Sequence, residues 1–274
     1  MSCSTGCTPS SISGRVAPPP SATYACGTVL NLENKKSLEA YRCGGEIHGL
    51  NAIPEICLRL HNRGIEELIL RSLRQGDEVN LERFGSELGP SSKELFSPYP
   101  WMDRSRAWDV FTAAIGRSVE GIDLAYLVFH EGLPVAHFVL WGAKGQHKFR
   151  ELTLRIPTLG LAVADRLHNR GIGRLCVQFL QEVAQQLQAD ALELTAAMQN
   201  CIAARLYAAC DFQEIGTLRI PLGVDPSTSL VECKGIGTWR EERHMVYTLA
   251  TERAWVVRDY LLCKELEHAA IDRV

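Results

Sequence analysis

Residues 159–173 read Leu-Gly-Leu-Ala-Val-Ala-Asp-Arg-Leu-His-Asn-Arg-Gly-Ile-Gly, and the rest of the predicted fold is arranged around them. The first five residues are apolar or small and predict a strand that ends near Val163. After Gly173, apolar side chains recur at helical spacing, at Leu175, Cys176, Phe179, Leu180, Val183, Ala184 and Leu187. We therefore predict a strand, a glycine-containing turn and an amphipathic helix in direct succession.

The turn at residues 168–173 is suited to bind an anion. N–H groups at the start of a helix have no carbonyl partner within the helix, and the helix dipole adds partial positive charge there. Gly171 and Gly173 let phosphate oxygens approach the main chain, and Arg170 and Arg174 add charge beside it. A dinucleotide fingerprint needs a third small residue where this chain has cysteine, and a nucleoside triphosphate loop needs Gly-Lys-Ser/Thr, which is absent from the turn.

The composition is that of an ordinary soluble globular protein. The chain has 274 residues, of which 46% are hydrophobic and 22% charged, and its net charge of −3 gives no basic footprint for nucleic acid. No apolar run is long enough to span a membrane. The ten cysteines include no CxxC pair in the polar leader, so we expect reduced, unligated thiols, no metal site and a cytoplasmic location.

Residues 1–48 differ from the rest of the chain. They are rich in Ser, Thr, Pro and Gly and contain no acidic residue before Glu33. Such a segment buries too little apolar surface to offset its ordering entropy, so we predict a disordered leader. An organelle transit peptide is an alternative interpretation.

The remaining patterns predict a mixed α/β domain over residues 49–250. A mostly antiparallel central sheet is flanked by helices, and residues 251–274 add a C-terminal helix that either covers the sheet or serves a homodimer. Strands are predicted at Ile56–Leu60, 124–129, 135–141, near 159–163, 192–196, from 212 and at 245–249; helices are predicted at 64–73, 81–88, 103–115, from 174, at 201–209 and at 252–267.

The segment from Leu159 to Phe212 resembles the GNAT superfamily of acyl-CoA N-acetyltransferases. The family's pyrophosphate loop is Gln/Arg-x-x-Gly-x-Gly/Ala, and here His168 occupies its first position. The later matching positions are Leu194, Asn200, Ala203, Leu206, Tyr207 and Phe212. The resemblance implies direct transfer of an acetyl group from acetyl-CoA to a primary amine of a small molecule or peptide.

The resemblance also implies roles for individual positions. Tyr207 would be the general acid that protonates the departing CoA thiolate. The backbone near Leu161 would polarise the thioester carbonyl. The acetyl-CoA site would comprise Leu161, Ala162, Val163, His168, Asn169, Arg170, Gly171, Ile172, Gly173, Arg174, Asn200 and Ala203.

Two departures from the family pattern leave questions open. Asp211 stands where the family usually has glycine, and Thr158 stands where many members have a glutamate that helps to remove the proton of the amine. The sequence does not single out a general base, since Glu151, His137 and a water chain are all compatible with the pattern. A non-catalytic acyl-CoA sensor on the same fold is therefore the alternative function.

Overall fold

The computed structural model describes residues 42–43, 46–47, 50–52, 55–60, 65–221 and 239–270. The predicted disordered leader lies largely outside these ranges. Within it, strands β1 (Arg42–Cys43) and β2 (Glu46–Ile47) pair in antiparallel orientation. No helix within the described ranges is long and apolar enough to cross a lipid bilayer.

An eight-stranded sheet forms the centre of the domain, and the predicted mixed, mostly antiparallel α/β fold is confirmed. Its strands stand in the order β11-β12-β10-β9-β6-β5-β4-β3, and a separate hairpin pairs β7 with β8. Every neighbouring pair is antiparallel except β9 and β10. The strand bounds are β3 (Ile56–Leu60), β4 (Ile65–Ser72), β5 (Leu124–His130), β6 (Leu133–Trp141), β7 (His147–Phe149), β8 (Leu152–Leu154), β9 (Thr158–Val163), β10 (Ala191–Ala197), β11 (Gln213–Pro221) and β12 (Trp239–Thr248).

The prediction of a helix at residues 64–73 is wrong, because this segment forms β4. Leu68 and Leu70 are fully buried, whereas Glu67 is exposed, and this alternation has the two-residue period of a strand. The apolar spacing in the segment fits the period of a helix as well as that of a strand. Pairing with β3 on one side and β5 on the other decides in favour of the strand, since it satisfies backbone groups along both edges.

Helices cover both faces of the sheet. On one face Leu81, Phe84 and Phe111 pack with side chains of β5 and β6; on the other, Leu175 and Phe179 pack on Tyr126 and Phe138. The helices are α1 (Glu78–Ser86), α2 (Pro90–Leu95), α3 (Arg104–Val119), α4 (Ile172–Gln186), α5 (Cys201–Ala208) and α6 (Ala254–Ala270). The sequence patterns predict all of them except α2.

The C-terminal helix α6 packs against the sheet. Val256, Val257 and Leu261 are buried in a cluster with Leu154 of β8 and Val246 of β12. The burial of these side chains indicates that α6 covers the sheet. Trp255 and Leu266 of the same helix are exposed. The helix thereby lies beside the β7–β8 hairpin, and this placement shapes the site described next.

Candidate active site

The strands β9 and β10 separate and leave a cavity between them. Their register contains a single pair, Thr158 with Glu193. Beyond it, a cavity of about 1490 Å³ is lined by residues 159–163 on one side and 194–197 on the other. The other edge of β9 pairs with β6 through Val163, so only the edge that faces β10 lacks a strand partner among the described residues. Backbone groups on that edge are free to pair with an extended ligand.

The turn before α4 lines the same cavity and contains main-chain amides without a partner in the helix. Gly171 is the N-cap residue at φ +89°, with no side-chain cap, and Asn169 is also left-handed at φ +61°. The first helical bond runs from the N–H of Leu175 to the carbonyl of Gly171, which leaves the preceding helical N–H groups without a carbonyl partner in the helix. Gly173 lines the cavity, and a Cβ there would lie 3.0 Å from the side chain of Leu206.

Most of the predicted site residues line this one cavity. They are Leu161, Ala162, Val163, His168, Asn169, Gly171, Gly173, Arg174, Asn200, Ala203 and Tyr207. Arg170 is exposed and does not line the cavity, and Ile172 is buried in the core. Those two side chains are therefore not brought to the site, although both residues belong to the turn.

Two of the side chains predicted to contact phosphate bind to the protein instead. The His168 ring donates from Nε2 to the carbonyl of Val163 at 2.9 Å. Arg174 donates to the carbonyl of Ala209, at the end of α5, at 3.0 Å. These bonds tie the turn to β9 and to α5, so the anion-binding capacity resides mainly in the main chain of the turn.

Helix α5 brings Asn200 and Tyr207 to the opposite wall. The Asn200 side chain accepts a hydrogen bond from the N–H of Ala203 at 3.1 Å and so caps the helix. Tyr207 is 6% exposed, and burial together with the nearby Glu242 carboxylate raises the pKa of its hydroxyl above the usual range. No described residue forms a hydrogen bond with that hydroxyl, which leaves it available to a ligand. Asp211 adopts the expected left-handed conformation at φ +66°.

Comparison with known proteins identifies the family. Residues 94–212 match the sequence model of the acetyltransferase (GNAT) family. These residues carry a GNAT acetyltransferase domain. The matched range contains β9, the turn, α4, β10 and α5, which are the elements that surround the cavity, and the sequence prediction of an acyltransferase is confirmed.

Solved structures share the fold of this GNAT domain at low sequence identity. Ribosomal-protein-S5-alanine acetyltransferase from Vibrio fischeri is 10% identical, with a TM-score of 0.51 over 66% of this chain and 92% of that chain. RimJ from Mycobacterium smegmatis, in complex with CoA-disulfide, is 20% identical, with a TM-score of 0.50 over 69% of this chain and 84% of that chain. No curated protein matches the chain significantly.

Neither of the two side chains that the sequence offers as a base lines the cavity of the GNAT domain. Glu151 is exposed in the turn between β7 and β8. His137 is fully buried on β6, where Tyr99 donates to Nε2 at 2.8 Å and Nδ1 donates to the carbonyl of Tyr126 at 3.0 Å. Burial lowers the pKa of His137 to about 4, so it is a neutral core residue.

A charged cluster that the sequence did not predict lies where β9 and β10 meet. Glu193 is 4% exposed and accepts hydrogen bonds from Thr158 at 3.0 Å, from Lys264 at 2.6 Å and from His244 at 3.2 Å. His244 also contacts the carboxylate of Glu265 at 2.9 Å through Nδ1. Each ring nitrogen of His244 therefore faces a carboxylate.

The electrostatics of this cluster keep Glu193 ionised. Burial by itself raises the pKa of the Glu193 carboxyl, but the charges and hydrogen bonds of Lys264 and His244 outweigh burial and hold that pKa far below its usual range. The sequence signal for the cluster is a glutamate inside the apolar strand β10, whose neighbours Leu192 and Leu194 are both fully buried. A charge at such a position requires partners, but the sequence does not show that they come from β12 and α6.

Proposed function

We propose that the GNAT domain transfers an acetyl group from acetyl-CoA to a primary amine by direct attack within a ternary complex. One observation carries this proposal: the unpaired edge of β9 and the uncapped start of α4 open into the same cavity. An extended thioester arm needs the first feature and a diphosphate needs the second. Acetyl-CoA contains both groups in one molecule.

The donor site follows from these two features. The diphosphate binds the main-chain N–H groups of residues 171–174, where the helix dipole favours negative charge. The pantetheine arm pairs with the backbone of residues 161–163 as a further strand. Asn200 uses its oxygen to cap α5, so its amide N–H groups are left to donate to the arm, beside Ala203.

Tyr207 is proposed as the general acid. When the amine nitrogen attacks the carbonyl carbon, the C–S bond breaks and the thiolate requires a proton. The raised pKa of the Tyr207 hydroxyl keeps it protonated at neutral pH, so a proton is always present for transfer. The N–H of Leu161, at the unpaired stretch of β9, stabilises the negative charge that develops on the carbonyl oxygen.

Consumption of acetyl-CoA tests the proposed reaction. The purified protein is mixed with acetyl-CoA and a panel of primary amines and amino-terminal peptides, and release of free CoA thiol is measured. We expect saturable turnover with at least one acceptor, and a Tyr207→Phe variant that binds acetyl-CoA normally with kcat lower by roughly 100-fold, the size of a general-acid contribution.

A non-catalytic sensor would give a different result. Stabilisation of the protein by acetyl-CoA without thiol release for any acceptor would favour the sensor over the enzyme. Equal turnover by the wild-type protein and Tyr207→Phe would instead keep the enzyme and remove Tyr207 from the reaction.

A further inference from the structure

A second end of the cavity, apart from the phosphate turn, is built by the β7–β8 hairpin and helix α6. His147 and Phe149 of β7 line it from one side and Tyr260 and Lys264 of α6 from the other. The His147 ring lies 5.1 Å from the ring of Tyr260, with the two planes 35° apart. An ion pair between Arg150 and Asp259 at 3.0 Å holds the hairpin and the helix together.

An acceptor amine needs a base at this end. It is a cation at neutral pH and must lose a proton before its nitrogen can attack a thioester. Glu193 is the obvious carboxylate, but both of its oxygens already accept hydrogen bonds, and its lowered pKa makes it a poor acceptor of protons. Lys264 is occupied as the cation of that cluster. The charged groups of this cluster are paired with one another. The proton of the amine therefore has to be accepted by another side chain.

His147 has the properties that Glu193 lacks. It is half-buried and lines the cavity, and its ring forms no hydrogen bond with any described residue. Burial lowers the pKa of the His147 ring, the Glu193 carboxylate opposes that shift, and the Lys264 ammonium adds to it, with a net lowering. The ring is therefore neutral at pH 7 and has a nitrogen lone pair that no described residue occupies.

The strand register relates the surroundings of His147 to the proposed thioester position on β9. His147 interacts electrostatically with Glu193, which pairs in register with Thr158. Leu161, where the thioester carbonyl is proposed to bind, is three residues farther along the strand, or about 10 Å at the rise of a β-strand. This spacing is that of the two β9 positions, and an acceptor amine bound between them would reach His147 directly or through water.

We propose that His147 is the general base of the acetyl transfer, an assignment that rests on the proposed function. The acceptor ammonium gives one proton to His147, and its nitrogen then forms the N–C bond with the acetyl carbon. The C–S bond breaks, and the thiolate takes the proton of Tyr207. The second proton of the nitrogen restores Tyr207, and His147 releases its proton to water, so that one proton is released per acetyl group transferred.

The groups that face His147 set its behaviour with pH. They are Tyr260 and Lys264 of α6 and Glu193 of β10. His244 contacts Glu193 through one ring nitrogen and Glu265 through the other. Its partner across the hairpin, Leu154, is apolar and buried. Below the pKa of His147 the ring is protonated and cannot accept the amine proton, so kcat falls on the acid side.

The test measures kcat against pH for the wild-type protein, His147→Gln and His130→Gln with the best acceptor of the panel. His130 is the matched control, since it is a half-buried histidine at a different cavity, bonded to the carbonyl of Glu67. We expect His147→Gln to lower kcat roughly 100-fold and to lose the acid limb, with unchanged acetyl-CoA affinity. His130→Gln should retain both the rate and the limb.

A second variant separates a chemical role from a structural one. His147→Ala removes the ring, and added imidazole should restore part of kcat if the missing group is a base. Wild-type kcat with an intact acid limb in His147→Gln would overturn the assignment to His147 and leave the proposed function standing. Absence of turnover by the wild-type protein with every acceptor would overturn both.

Discussion

The two ends of the cavity differ in whether main chain or side chains line them. The donor end consists of main chain: the unpaired edge of β9 and the N–H groups at the start of α4. The acceptor end consists of side chains, with Glu193, His244 and Lys264 forming a buried ionic cluster beside His147. Main-chain amides bind a ligand that is the same in every reaction cycle. Under the proposed function, the side chains at the other end contact the acceptor and set its specificity.

The two ends also differ in how far apart their residues lie in the sequence. The donor end occupies residues 159–174 with one further helix, and its parts are neighbours in sequence. The acceptor end combines positions from β7, β10, β12 and α6, which only the finished fold brings together. A mutation at either end should therefore affect binding of one substrate much more than the other.

Gly173→Glu should give the largest effect, loss of acetyl-CoA binding. It places a carboxylate where the diphosphate is proposed to bind, at a position where even a Cβ would lie 3.0 Å from Leu206. Acetyl-CoA at 100 times its Kd stabilises a folded protein by ~2.7 kcal/mol, or a Tm rise of roughly 5 °C or more for a domain of this size. Gly173→Glu should show no rise in a thermal unfolding assay.

Gly116→Glu is the matched control. Gly116 lies within α3 and does not line the cavity, and a Cβ there would meet no neighbouring side chain within 4 Å. The variant adds the same charge and should keep the full rise in Tm. An unchanged rise in Gly173→Glu would show that the cofactor binds elsewhere.

Glu193→Gln should lower the free energy of unfolding more than it weakens acetyl-CoA binding. The amide cannot balance the charges of Lys264 and His244, and removal of one partner from a buried ion pair costs roughly 3 kcal/mol of unfolding free energy. Because folding lowers the pKa of Glu193, its stabilisation is fully present above the usual value of 4.5 and is lost as the pH falls towards the folded-state pKa. Urea unfolding at pH 7 measures the difference.

Glu214→Gln provides the comparison for that variant. Glu214 is exposed and pairs with the half-buried Arg243 at 3.3 Å, and a solvent-accessible pair of this kind contributes less than about 1 kcal/mol. Acetyl-CoA should still stabilise both variants. Equal stability of Glu193→Gln and Glu214→Gln, or loss of donor binding in Glu193→Gln, would contradict the separation of the two ends.

Sequence patterns predicted most of the fold, including the strand, turn and helix that form the proposed donor end, because their signals are local. The glycine turn and the amphipathic α4 depend on residues within a few turns of each other. The segment that forms β4 was predicted to be a helix because its apolar spacing fits both the period of a helix and that of a strand. Only its pairing with β3 and β5 resolves the ambiguity.

The acceptor end was not predictable in the same way. His147 lies in a three-residue strand, too short for a periodic pattern, and nothing near it in sequence indicates a partner. Lys264 is, in the sequence, one charge among several on a C-terminal helix. Its contact with Glu193 spans 71 positions, and it depends on how α6 packs against β11 and β12.

A crystal structure of the protein with CoA bound tests the central assignment most directly. We expect the diphosphate oxygens within hydrogen-bonding distance of the N–H groups of residues 171–174, and the pantetheine arm paired with residues 161–163 in the gap between β9 and β10. CoA bound at another surface, with that gap empty, would contradict it.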